Sequence, residues 1–256
     1  MAAPLGLLLH QFRYDQKKFW RNPASVFFTV MLPVVFLVIF NVIFGSDEIK
    51  GLGIGMATYY VPAIVSLAVI AATTQSLAVN LVSDREGGIL KRVRSTPLPP
   101  WVFIMSRVGN SLTISVLMVI LVSLLGWAIW GVEIPWSNSL AVLVTLIVGA
   151  FSFSCLGFAL AALIPSEEAA PAITNAVILP LYFISGIFIP ETEIPDGVLA
   201  FADLFPIRHF FQAFLGSWAP GPGESGIEWV DLAVVFAWGV VSLAIAIRFF
   251  RWEPRH

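Results

Sequence analysis

Six apolar runs dominate this chain and restrict what it can fold into. Each is close to the roughly 20 residues that cross about 30 Å of hydrocarbon. They fall at 24–44, 56–80, 103–130, 138–164, 169–189 and 229–250. A soluble domain of this length would carry about a quarter charged residues. Here 12% of 256 residues are charged, 58% are hydrophobic and the mean hydropathy is +0.89. The expected fold class is therefore an all-α integral membrane protein with six transmembrane helices, forming one domain over 1–256. The first run is expected to be retained, because it is too long for a signal-peptide core and Pro33 interrupts it.

Basic residues orient the crossings. If the termini and even-numbered loops share one side, that side holds Arg13, Lys17, Lys18, Arg21, Arg85, Lys91, Arg92, Arg94, Arg107, Arg248, Arg251 and Arg255. Only Lys50 and Arg208 lie opposite, so the positive-inside rule predicts both termini in the cytoplasm. Residues 5–21 precede the first crossing and read as an in-plane amphipathic helix. Leu5, Leu8, Leu9, Phe12, Phe19 and Trp20 share one face, and His10, Arg13, Lys17 and Arg21 share the other.

Two stretches outside the crossings are unusual. Segment 190–226 is external yet rich in Phe and Trp, interleaved with Asp203, Pro206, Arg208 and His209. So much aromatic surface would not be left in water. Two short helices broken at Pro206, re-entrant in the outer leaflet and covering the bundle, are expected. The other stretch is 84–100, DREGGILKRVRSTPLPP, between the second and third runs. Its charges exclude it from hydrocarbon. Ile89, Leu90 and Val93 form one face of a short helix that follows Gly87–Gly88 and precedes Pro97. A short basic amphipathic helix offers a docking surface to a cytoplasmic partner; the bland reading is a solvated topogenic loop.

Past Arg107 at the start of the third run, the crossings contain no Asp, Glu, Lys, Arg or His apart from Asp231 and Arg248, which lie within a turn of the two ends of the sixth run. Proton- or ion-coupled transport and charged-ring channels need such groups at membrane depth. A serine hydrolase fails because no crossing supplies a base beside Ser185. The lone Cys155 excludes a disulfide framework and a Cys-rich metal site within the chain, so metal is not expected. Uncharged polar residues do occur: Asn41, Tyr59, Tyr60, Thr73, Thr74, Gln75, Asn175 and Tyr182. Each alone reads as interhelical hydrogen-bonding. Four consecutive polar residues, Thr73-Thr74-Gln75-Ser76, point all round a helix, so a substrate-accessible path is the sharper reading. Gly157-x-x-x-Ala161 predicts close helix packing. The sequence contains no phosphate-binding loop, so work would have to come from a separate ATPase holding 84–100.

Two stretches resemble the permease subunits of type-2 ABC exporters, the daunorubicin-resistance and lipid or polysaccharide export group. SDREGGILKRVRSTPLPP resembles that family's first cytoplasmic loop, and ILPLYFISGIFIPETEIPDGVLAFADLFPIRHF resembles its fifth span and the external segment after it. The resemblance implies two copies of this chain working with two copies of an ATP-binding subunit. ATP and Mg would sit on the partner, with no cofactor on this chain. Arg85, Glu86, Gly88, Leu90, Arg94, Thr96 and Pro97 fit the loop pattern, which with Lys91 and Arg92 would form the ATPase-coupling segment. Gly88–Ile89 departs from the Gly–Thr of many members. Contact between copies would use the first and fifth spans, placing Asn41, Thr174, Asn175 and Tyr182 near a central path. The uncharged path suits an amphiphilic small molecule or lipid, not nucleic acid, and a bacterial plasma membrane is the expected location. The competing reading is a membrane anchor or scaffold that holds a cytoplasmic protein and moves nothing.

Overall fold

A computed structural model describes residues 4–44, 48–49, 53–96, 98–220 and 225–250. The described elements are helical, apart from one isolated bridge between Glu48 and Gly55. Pro97, assigned above to the coupling segment, and Lys50, Arg251 and Arg255 of the orientation argument lie outside the described residues.

Helix α1 (Pro4–Trp20) precedes the first crossing, which is built from α2 (Pro23–Val26), a π-helical stretch Phe27–Met31 and α3 (Leu32–Phe44). The second combines α4 (Met56–Ile70), a π-helical stretch Ala71–Gln75 and α5 (Ser76–Glu86). Next come α6 (Ile89–Arg94), α7 (Pro100–Trp130), α8 (Ser139–Leu163), α9 (Ala169–Ile184), α10 (Asp196–Ala202), α11 (Pro206–Trp218) and α12 (Trp229–Phe249).

Among the described residues, five helices are long and apolar enough to cross a membrane: Phe27–Phe44, Met56–Glu86, Pro100–Trp130, Trp136–Leu163 and Trp229–Phe249. The run expected at 169–189 is instead the 16-residue α9, about 24 Å at 1.5 Å per residue and short of a full hydrocarbon core. Its end has a physical cause. The chain reverses at Gly186 (φ +92°), where a Cβ would lie 2.9 Å from the Phe211 ring. The Tyr59 hydroxyl donates to the Gly186 carbonyl at 2.6 Å, and Tyr60 donates to Phe188 at 3.3 Å. The second crossing is longer than expected, running 31 residues to Glu86 rather than stopping near 80.

Helix α4 is buried on all sides from Tyr59 to Ile70, as an apolar helix without a polar face must be. It packs against α3, α7, α8 and α11. Small residues allow the closest approaches. A Cβ on Gly126 of α7 would lie 2.5 Å from Val61, and one on Gly239 of α12 would lie 2.6 Å from Ser152 of α8. One on Gly149 of α8 would overlap the Phe210 ring of α11.

Helices α10 and α11 meet at 100°, with Pro206 opening α11, so two short helices broken at Pro206 are present as expected. The aromatic residues of α11 lie elsewhere than anticipated. Phe210, Phe211, Phe214 and Trp218 enter the main core against α4 and α8, while Phe201 and Leu204 stay exposed. Helix α11 is thus packed into the bundle through its aromatic face.

Helix α1, the last turn of α12 and α6 share one end of the bundle. Lys18 of α1 reaches Asp84 of α5, and Ala246 of α12 joins the cluster that buries Leu90 of α6. Trp218 at the end of α11, Gly55 before α4 and Trp130 at the end of α7 line one cavity at the opposite end.

Candidate functional site

The α6 end is assembled from two glycines and a set of buried charges. Gly88 adopts φ +71°, a left-handed conformation that side chains disfavour, and this lets the chain leave α5 at Glu86 and begin α6 at Ile89. Leu90 is fully buried with Leu77, Leu81, Phe103 and Phe158, so it pins α6 to the bundle. Lys91, Arg92, Arg94 and Thr96 lie on the exposed side.

Arg85 is not on that side. It is 1% exposed, and its guanidinium donates to the carbonyls of Ala161 (3.0 Å), Ile164 (2.9 Å) and Pro165 (3.2 Å). Those carbonyls end α8 and lack onward helical partners, which a guanidinium fork satisfies well. Glu86 accepts from Arg85 Nε at 2.8 Å. Arg85 and Leu90, assigned above to the coupling segment, are both buried and hold α6 to the bundle from behind. Glu86 remains half-buried beside Arg85.

A second charged group was not foreseen. Asp84 is 1% exposed and accepts from Lys18 Nζ and Arg107 Nη2, each at 2.5 Å. Arg107 also lies 3.6 Å from Asp15, which accepts from Ser106 at 2.6 Å and Gln11 at 3.3 Å. Burial raises the Asp15 carboxyl above its usual range, and Arg107 and Ser106 draw it back. Two carboxylates and two cations thus balance, tying α1 to α5 and α7 beside α6. The sequence holds one signal for this: Asp84 and Arg107 each flank a crossing on the same side.

The polar residues of the crossings divide into two sets. Thr73 donates to its own helix at Val69 (2.6 Å), and Thr74 donates across to Phe153 of α8 (2.9 Å). The Tyr182 hydroxyl lies 3.5 Å from the Leu67 carbonyl. Together with Tyr59 and Tyr60 these residues are buried and satisfied by carbonyls, so the packing reading replaces the path reading for all five. Asn41 is buried too, donating to Leu37 at 2.8 Å while its Oδ1 has no partner among the described residues. Gln75 and Asn175 differ. Gln75 Nε2 donates to Asn175 Oδ1 at 3.0 Å on an open face between the second crossing and α9. On the α10–α11 side lies an aromatic cluster in which Phe40, Tyr60 and Phe188 stack or tilt at 5.0–5.6 Å. The predicted small-residue contact is present: a Cβ on Gly157 would sit 2.8 Å from the Thr73 carbonyl oxygen, within the π-helical stretch.

Comparison with known proteins places this arrangement. The family model described as "ABC-2 type transporter" matches residues 8–218, from α1 through α11. The chain belongs to the ABC-2 type transporter family. It is 21% identical over 242 residues to the putative transport permease YvfS of Bacillus subtilis (strain 168), covering 94% of this chain and 96% of that protein. It is 26% identical over 264 residues to the daunorubicin resistance ABC transporter permease protein DrrB1 of Streptomyces coeruleorubidus, covering 100% of this chain and 89% of that one. Members of this family are membrane transport subunits rather than enzymes.

Proposed function

We propose that this ABC-2 chain is the transmembrane subunit of an exporter driven by ATP hydrolysis on a separate cytoplasmic subunit. ATP and Mg bind that partner, and two copies of this chain form the working unit in a bacterial plasma membrane. Both termini face the cytoplasm, α9 completes a sixth crossing, α1 lies in the membrane plane and α10–α11 is an external re-entrant pair. The observation that carries this reading is α6. Buried Arg85 and Leu90 fix it to the bundle while Lys91 and Arg92 stay exposed on its far side. A helix held rigidly from behind can pass displacement of a docked partner into α5 and α8.

The cargo is a hydrophobic or amphiphilic small molecule, a drug, natural product or lipid. The Gln75–Asn175 pair, on an open face between the second crossing and α9, offers such a molecule hydrogen bonds without charge. The daunorubicin-resistance relative supports the same class. Co-purification with an ATP-binding subunit from the same cells tests the reading. Lys91→Glu with Arg92→Glu should abolish capture and cargo-stimulated ATP hydrolysis without changing thermal stability. Retention of both by that variant would refute coupling through α6.

A further inference from the structure

At the end of the bundle opposite α6, a cavity of about 440 Å³ opens between the first turn of α4 and the last turn of α7. Its lining includes Met56, Thr58, Trp130, Glu133 and Trp218. The two helix ends have opposite polarity. Helix α4 begins at Gly55, which has no side chain to cap it, so its first turn stands at the positive end of a helix dipole with no capping side chain among the described residues. Helix α7 ends at Gly131 (φ +68°), whose turn carries the chain back past the carbonyl end and delivers Glu133 to the same cavity.

Charge restricts what this cavity accepts. A lone anion would meet Glu133, and a lone cation would meet the positive end of α4. A molecule with an anionic and a cationic group a few ångströms apart satisfies both. The walls suit the cationic half, since Trp130 and Trp218 present rings of the kind that hold ammonium groups. Trp218 is 6% exposed, and its buried indole N–H has no partner among the described residues. Glu133 also borders an adjoining hollow lined by Trp127 and Trp136, so the anionic pole lies among indoles on both sides.

We infer that this cavity binds the zwitterionic headgroup of a phospholipid, the phosphate at the first turn of α4 and the ammonium at Glu133 among the tryptophans. Indole-rich surface at a membrane boundary and the short reach from a lipid phosphate to its amine fit this occupant. The site goes beyond the export reading and needs neither nucleotide nor cargo.

The full-length chain, purified in detergent, is incubated with equal amounts of phosphatidylethanolamine and phosphatidylglycerol, and retained lipid is read by native mass spectrometry. Phosphatidylethanolamine should be retained at least tenfold over phosphatidylglycerol. Glu133→Gln should bring the two to parity, and Glu133→Lys should reverse the order. Glu133 is exposed, so neither variant threatens folding. Displacement by dihexanoyl phosphatidylethanolamine but not by free phosphoethanolamine assigns the source to lipid. Displacement by both assigns it to the headgroup alone, and displacement by neither overturns the site. Equal retention of both lipids by the unaltered chain, or unchanged selectivity in both variants, also overturns it. A negative result leaves the export reading standing, because ATP hydrolysis and partner capture are measured separately.

Discussion

Arg85 and Ala161 are 76 positions apart, yet the Arg85 guanidinium donates to the Ala161 carbonyl at 3.0 Å and closes the end of α8. Replacing Arg85 with Ala leaves three carbonyls without that donor and removes a fully buried side chain. Breaking such a buried charged contact costs about 3 kcal/mol. Thermal unfolding in detergent should drop clearly for Arg85→Ala. It should drop less for Arg85→Lys, which keeps the charge but loses the planar fork. An equal midpoint for all three proteins would contradict the staple.

Gly157 permits the contact between α8 and the π-helical stretch. Its Cβ position lies 2.8 Å from one carbonyl oxygen and 3.1 Å from the next, both backbone atoms that cannot swing aside. Gly157→Ala should destabilise the protein by about 1–3 kcal/mol, the range for overpacking a tight site. Gly197 has open space around its Cβ position, and Gly197→Ala is the control expected to leave the unfolding midpoint unchanged.

The Gln75–Asn175 pair predicts coupled effects. Gln75→Leu and Asn175→Leu should each impair export of an amphiphilic drug, and the double variant should impair it no further than the worse single one. In a stability cycle the pair should show about 0.6 kcal/mol of coupling, typical of hydrogen bonds between membrane helices. Thr74→Val, by contrast, should lower stability more than it lowers export, because its hydroxyl is committed to Phe153.

His209, in the first turn of α11 and outside the five long apolar helices, predicts a pH dependence. Its Nδ1 lies 2.6 Å from Asp231 of α12, and this hydrogen bond raises its pKa above the usual 6.5, against the opposing effect of burial. A histidine with a raised pKa stabilises the folded arrangement fully below about pH 6.5 and loses that contribution as pH rises through the raised value. Hydrogen exchange across 203–218 should therefore speed up, beyond its intrinsic pH trend, over the units above 6.5. His209→Gln should flatten the excess.

The sequence made some of this legible and hid the rest for identifiable reasons. Apolar length marked the long helices, because it follows from the energy of polar groups in hydrocarbon. The break at Pro206 and the helix after Gly88 were also readable, since proline and glycine act on the backbone locally. Arg85 was misread because a cation in a basic run looks solvated; its partners end a helix some 80 residues later. Asp15, Lys18, Asp84 and Arg107 were missed for the same reason, each unremarkable until three helices bring them together. The stop at Gly186 was hidden inside continuous apolar sequence, where hydropathy cannot register a turn held by Tyr59 and Tyr60. Buried hydroxyls looked like a path because composition does not say which carbonyl answers them.

The widened turn at Ala71–Gln75 has a mechanical meaning for everything beyond it. Each residue advances an α-helix by about 100°, so a single wide turn sets the azimuth of α5 relative to α4. Were Ala71–Gln75 to tighten into ordinary α-helix, α5 would swing by about that angle, carrying Asp84 off Lys18 and Arg85 off α8. The two anchors and the wide turn therefore specify one rotational setting together, and neither can shift alone.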